Sequence, residues 1–315
     1  MISKKPIFII SFDCEGKWGV ADHLSKHHRI NITSENISYA YEKILVLLQK
    51  YQLVATFAFV GLFSLSQNEY VKYLNAEVFP IAQQKWMRAF FDDEKRKDFD
   101  GWFGSDVFEA AKNAGHEMAS HGFTHIPLSD VFVDLTAAKF ELDGIKKIAK
   151  TKNMNFETFI YPRNAIEYSN ILKEYGFIGY RDGMRQNLTG IFAKLCNFIR
   201  EFNILQKAQK ISANNTDMLA IPSGYMLTWR SGFKEYIPLK VILMRWRSVL
   251  RDAVKNNGVV HLWAHPCNFI DGKDQVTLFE EILKIVVTYI NDGKMINLTQ
   301  EQYCKTILDI MRIKN

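Results

Sequence analysis

Three pairs of histidines stand four residues apart in this chain: His23/His27, His121/His125 and His261/His265. Eight histidines placed at random would give ~0.2 such pairs, so the spacing carries information. Two imidazoles at i and i+4 lie on one face of a helical turn, where they suit neighbouring ligands of a tetrahedral metal. His121/His125 has that context, because it follows a strand pattern and Gly122 relieves the turn. The spacing predicts a helix opening at His121, with both rings on one ion. His261/His265 falls in a strand pattern instead, and four residues along a strand hold two rings ~13 Å apart. Those two are not expected to share a metal. His265 ends the strand just before Pro266 and is a candidate general acid, whereas His261 reads as a core histidine. His23, His27 and His28 read as a solvated loop or a substrate contact, and His116 as structural.

Asp13 and Glu15 flank Cys14 at the end of the first apolar run. Alternate residues of a strand point the same way, so both carboxylates can reach one centre while Cys14 turns into the core. Two histidines and one carboxylate leave open positions on a metal for water and a substrate oxygen. The second carboxylate is then available as a base toward that water. Arg163, after a strand and Pro162, can bind a substrate carboxylate or phosphate, or clamp a catalytic carboxylate.

The elements that must position these groups alternate. Strands are expected over 7–12, 54–60, 116–120, 157–161, 219–222, 258–264 and 295–298. Helices are expected over 35–50, 105–114, 135–150, 165–175, 235–256, 277–289 and 299–312. This order predicts a parallel α/β sheet or barrel, in which chemistry gathers at the carboxyl ends of the strands. Asp13, Glu15, His121, His125, Arg163 and His265 all fall there. The run Asp92-Asp93-Glu94-Lys95-Arg96-Lys97 reads as a solvated face.

The chain has 315 residues, 48% hydrophobic and 23% charged, with a formal net charge of +6. These values exclude disorder, collagen and coiled coil, and a basic excess this mild and scattered does not point to nucleic acid. Cys14, Cys196, Cys267 and Cys304 form no CxxC pair, which argues against a disulfide framework and suggests a cytoplasmic setting. No apolar run reaches transmembrane length, and the short run after Lys4 and Lys5 reads as a strand rather than a signal peptide.

The motifs together resemble the polysaccharide deacetylase family, the NodB-homology or carbohydrate esterase family 4 group. Ser11-Phe12-Asp13-Cys14-Glu15-Gly16 resembles the family's T-F-D-D-G motif, and residues 55–61 its A-T-F-F-V-x-G strand. Residues 115–125 resemble G-H-E-I-x-S-H-[ST]-x-x-H, and residues 261–266 its last apolar strand ending in histidine. The resemblance implies a single domain over 1–315, a distorted (β/α) barrel with insertions near 65–100 and 185–215. It implies hydrolysis of an N-acyl or O-acyl sugar with one divalent metal, zinc before iron, cobalt or nickel. His121 and His125 would bind the metal, Asp13 would be the base and His265 would protonate the leaving amine. Two departures stand out: Cys14 replaces the second aspartate, and Arg163 follows its proline rather than preceding it. Glu15 is taken as the third ligand, with exchange of the Asp13 and Glu15 roles as the alternative. Trp18, Asp22, Arg163, Asn164 and Asn268 match a surface-polysaccharide biosynthesis subgroup and are expected at the site, Trp18, Asp22, Asn164 and Asn268 as substrate contacts. The expected substrate is a cytoplasmic acylated sugar precursor, nucleotide- or lipid-linked, whose phosphate would suit Arg163 and Arg181. Alternatives are a formamido-sugar deformylase, a cyclic-amide hydrolase, and a non-catalytic carbohydrate-binding relative.

Overall fold

The computed structural model describes residues 5–73, 79–183, 201–210 and 218–314. Most of the segment expected as a second insertion, with Cys196, lies outside them.

Nine strands form one sheet in which every ladder is parallel: β1 (Ile7–Cys14), β2 (Thr56–Phe59), β3 (Glu117–Ser120), β4 (Thr158–Ile160), β5 (Gly179–Arg181), β6 (Leu219–Ile221), β7 (Tyr225–Met226), β8 (Val259–Ala264) and β9 (Ile296–Leu298). The order is β6-β5-β4-β3-β2-β1-β8-β7, with β9 beside the start of β1. All eight residues of β1 are buried, as expected of a strand covered on both faces. The two ends of this order, β6 and β7, are joined by only residues 222–224. Such a link spans at most about 14 Å, so the sheet must curl until its first and last strands are neighbours. The result is a distorted (β/α) barrel with one seam that carries no ladder.

Helices α1 (Lys26–Asn31), α2 (Ser34–Lys50), α3 (Gln67–Tyr70), α4 (Ile81–Trp86), α5 (Arg88–Lys95), α6 (Ser105–Asn113), α7 (Leu135–Thr151) and α8 (Ser169–Glu174) precede the seam. After it come α9 (Leu239–Asn256), α10 (Asn268–Asp271), α11 (Gln275–Asn291) and α12 (Gln300–Lys314). Thr33 caps α2 by accepting from Asn36 N–H, and Asp134 caps α7 by accepting from Ala137 N–H. None of the described helices is long and apolar enough to cross a membrane.

The described part of the segment 65–100 packs behind the site. Phe90 of α5 stacks on Trp18 at 4.7 Å, and Trp18 donates its indole N–H to Trp102 O at 2.7 Å. Trp18 is fully buried and packed on this segment, so it does not line the cavity as expected. The charge run is not wholly a solvated face either. Asp93 is fully buried, takes both its oxygens to Arg29 of α1 (2.7 and 2.6 Å), and also accepts from Arg96 and the Trp102 indole. A carboxylate needs that many donors to leave water.

Candidate active site

Because the strands run parallel, their carboxyl ends share one rim, and the polar side chains found there meet in a cavity of about 810 Å³. Glu15, the residue after β1, is its centre. Its Oε1 lies 3.1 Å from His121 Nε2, 3.0 Å from His125 Nε2 and 3.4 Å from His265 Nε2. Close approach of the backbone at Gly19 makes room for this carboxylate: a Cβ there would sit 1.9 Å from Glu15 Oε2. Burial alone would raise the Glu15 carboxyl, but the imidazoles around it, His125 and His265 foremost, hold it well below the usual range.

The structure brings His121 and His125 together, but not on a helix. Residues 121–128 form a loop after β3, and α7 starts only at Leu135. Backbone in the left-handed region at Gly122 (φ +80°) and at His125 (φ +69°) folds the loop until the ring centroids are 4.9 Å apart. A positive φ at a histidine is strained, and such strain gathers at functional sites. Glu141 of α7 holds the loop. Its Oε2 accepts from Phe123 N–H and Thr124 N–H, both at 2.9 Å, and its Oε1 from the Thr124 hydroxyl at 2.7 Å. Burial nonetheless raises the Glu141 carboxyl above its usual value. Glu141→Ala would strip two buried N–H groups of their acceptor, at roughly 1–3 kcal/mol each. It should also weaken metal binding about 10–100-fold, as loss of a ligand's support does. Melting curves and metal titration of the variant check both.

The donors suit a metal ion. His121 Nδ1 donates to Ile160 O at 2.8 Å, which leaves the Nε2 lone pair facing Glu15. Both nitrogens of His125 are buried without a hydrogen bond of good geometry. A buried imidazole so left, with its Nε2 beside a carboxylate oxygen, is what an ion ligand looks like without its ion. Glu15, His121 and His125 present ligand atoms within 4.8 Å of one another, as do Asp13, Glu15 and His265. Cys14 belongs to neither group; its Sγ faces Phe12 O at 3.5 Å in the core, and burial pushes the thiol well up.

Asp13 is engaged differently. Arg181 of β5 clamps both its oxygens, Nη1 to Oδ1 at 2.7 Å and Nη2 to Oδ2 at 2.6 Å, with both side chains almost wholly buried. Burial would raise the Asp13 carboxyl; the Arg181 guanidinium beside it, charged and hydrogen-bonded to both oxygens, holds it below the usual value. His265 Nε2 stands 3.9 Å from Asp13 Oδ2. Burial would lower His265, but Glu15 and Asp13 outweigh it and raise the imidazole to about 9.

The carboxylate clamp expected of Arg163 is therefore supplied by Arg181. Arg163, at φ +54° in a turn after β4, instead pairs with Asp22 at 2.6 Å and lies over Trp86 at 4.5 Å. Arg181 is thus taken up by Asp13, whereas Arg163 lines the cavity with its side chain 35% exposed. Asp22, Asn164 and Asn268 line the cavity, and so do His23, His27 and His28. Asn164 Oδ1 accepts from Arg181 Nη2 at 3.3 Å, and the Asn268 amide nitrogen is buried without a partner. His116 lies elsewhere, stacked on Phe57 at 5.3 Å.

His261 is fully buried beside this site, and burial, then the Arg181 charge, pull its imidazole down to about 3. The unfolded chain binds a proton there below its ordinary value of 6.5 and the folded chain does not. Stability from this residue is thus complete above pH ~6.5 and is lost as pH falls toward ~3, by up to ~1.4 kcal/mol per pH unit. Melting temperatures of wild type and His261→Phe should therefore converge between pH 6.5 and 4. A constant gap would count against it.

Residues 25–181 match the sequence profile described as polysaccharide deacetylase. That stretch holds His121, His125 and Arg181 but begins after Asp13 and Glu15. No curated protein gives a significant match. Among solved structures, a protein from Mycobacterium smegmatis described as a polysaccharide deacetylase aligns over 99% of this chain and 93% of its own, with TM-score 0.63 and 13% identity. Puue allantoinase aligns over 97% and 91%, with TM-score 0.54 and 12% identity. At these identities the likeness is one of fold. With the profile match carried on that fold, the chain belongs to the polysaccharide deacetylase family.

Proposed function

We propose that this protein is a metal-dependent hydrolase that removes an acetyl or other small acyl group from a sugar nitrogen. The observation that carries the reading is the convergence of two imidazole Nε2 atoms on Glu15 Oε1, beside an arginine-clamped Asp13 and the His265 imidazole. Glu15, His121 and His125 would hold the ion, and two nitrogens with one carboxylate fit zinc, or iron, cobalt or nickel. When bound, the ion would polarise the acyl carbonyl and lower the pKa of a bound water.

The chain's own groups then divide the proton transfers. Asp13 has both oxygens on Arg181, which favours it as the ionised base over the ligand role left open by the sequence. It would take the proton of the attacking water. His265, kept protonated by its two carboxylate neighbours, would give a proton to the departing nitrogen. Asp22, Asn164 and Asn268 line the cavity where the sugar would lie.

The test is elemental analysis followed by turnover. Purified protein should carry about one equivalent of a transition metal and release acetate from N-acetylated sugars. Release of formate alone, from formamido sugars, would reassign the acyl group. Absence of metal after reconstitution, with sugar binding but no release, would leave a carbohydrate-binding relative.

A further inference from the structure

His261 and His265 stand four residues apart in the sequence, yet only His265 lines the cavity. His261 is on β8, fully buried, four residues before the cavity. Its Nδ1 stands 2.8 Å from Pro222 O, and its Nε2 stands 2.8 Å from Ser11 Oγ. A carbonyl oxygen can only accept, so Nδ1 carries the hydrogen and Nε2 is the lone pair. Ser11 must then donate its hydroxyl hydrogen to Nε2. That leaves the lone pairs of Ser11 Oγ for Arg181 Nη1, 3.4 Å away. The direction of every bond is fixed from one end to the other: Arg181 donates to Ser11, Ser11 to His261, His261 to Pro222 O. The same Nη1 donates to Asp13 Oδ1.

The imidazole is also seated by the backbone. Residues 222–224 bridge the seam between β6 and β7, and Gly224 has φ +74°. A Cβ at Gly224 would come within 2.3 Å of His261 O and 2.8 Å of His261 Cβ, so only glycine lets the bridge lie against this residue. The seam link and the histidine are therefore built together, and they face the arginine that holds the base.

We infer that Ser11 and His261 are positioning residues for the reaction: they fix the guanidinium of Arg181, and through it the carboxylate of Asp13. This rests on the amidohydrolase reading above. Arg181 lies on a three-residue strand, over Trp263 at 4.7 Å. Stacking alone leaves the guanidinium free to turn in its plane; the Ser11 oxygen on Nη1, with the Asn164 oxygen on Nη2, removes that freedom. Asp13 then presents its remaining lone pairs in one direction.

The experiment uses Ser11→Ala, Ser11→Thr, His261→Phe and the Ser11→Ala/His261→Phe double variant, each loaded with metal. In Ser11→Ala, kcat should fall roughly 10- to 100-fold, the scale of a misplacement near 1 Å. KM and bound metal should stay at wild-type values, because no cavity-lining or ligand group changes. Ser11→Thr keeps the hydroxyl on a strand-favouring residue and should recover kcat to within about threefold. His261→Phe should match Ser11→Ala, and the double variant should be no worse than either, since all break one chain. A crystal structure of Ser11→Ala should show Arg181 turned away from its two-oxygen contact with Asp13. Unchanged kcat in Ser11→Ala, a loss that Thr does not recover, or losses that multiply in the double variant would overturn the inference. An unmoved Arg181 in the crystal would also overturn it, whether or not any sugar is turned over. Failure of the wild type to hydrolyse acylated sugars would instead overturn the proposed function.

Discussion

Replacing His125 by alanine is expected to abolish bound metal and turnover together. The residue contributes one of the two Nε2 atoms within 3.1 Å of Glu15 Oε1. Two remaining donors, Glu15 and His121, make a poor site for an ion that seeks three protein ligands. Metal content should drop from about one equivalent to near none, and turnover by several orders of magnitude. His23→Ala is the control, because His23 is more than half exposed and pairs with Asp22 at 2.7 Å. It should keep the metal. Elemental analysis beside acetate release reads both variants; a metal-free His125→Ala enzyme that still turns over at the wild-type rate would remove the ion from the mechanism.

The second large effect separates the two arginines. Arg181→Met leaves the Asp13 carboxylate buried without its counter-charge, which costs roughly 3–5 kcal/mol when one partner of a buried pair is removed. Burial would then dominate and push the carboxyl up, so the base is lost as well as the fold weakened. A fall in kcat of about 10²–10⁴ is the range for a general base. Arg163→Met breaks a pair in which the arginine side chain is 35% exposed, worth no more than about 1 kcal/mol. Its kcat should change far less. Equal losses in the two variants, measured as kcat with melting temperature alongside, would refute the assignment of Arg181 to Asp13.

That assignment is also where the sequence is hardest to read. The long strands and helices are legible because their apolar periods are long: β1, β8, α2, α7 and α11 lie where the pattern puts them. β5 is three residues, Gly179-Tyr180-Arg181, and a run that short with a glycine has no period to detect. The sequence alone offers the arginine it carries as a phosphate contact, and offers Arg163, beside its proline, as a carboxylate clamp. The histidine pair shows a different limit. Spacing of four predicts a helical turn, but a loop with two left-handed residues brings the same rings together. The residue types are informative without that geometry, because more than one backbone path can deliver two imidazoles to Glu15. Trp18 failed for a third reason. An indole beside a chemistry-bearing motif can serve substrate or the wall behind it, and only the position of Trp102 and Phe90 decides.

The seam between β6 and β7 bears on solubility as well as on the base. An open parallel sheet ends in two strand edges that can recruit strands from other chains. Here those edges are three and two residues long, and the link through 222–224 turns them toward each other. The flank of β8 at Val259, beyond its ladder with β7, is closed by an antiparallel bridge to Gln209. Among the described residues, the sheet thus leaves no long ladder on which another chain could template. A mutation that lengthened or loosened the 222–224 link would be expected to show first as aggregation, before any change in the chemistry at the rim.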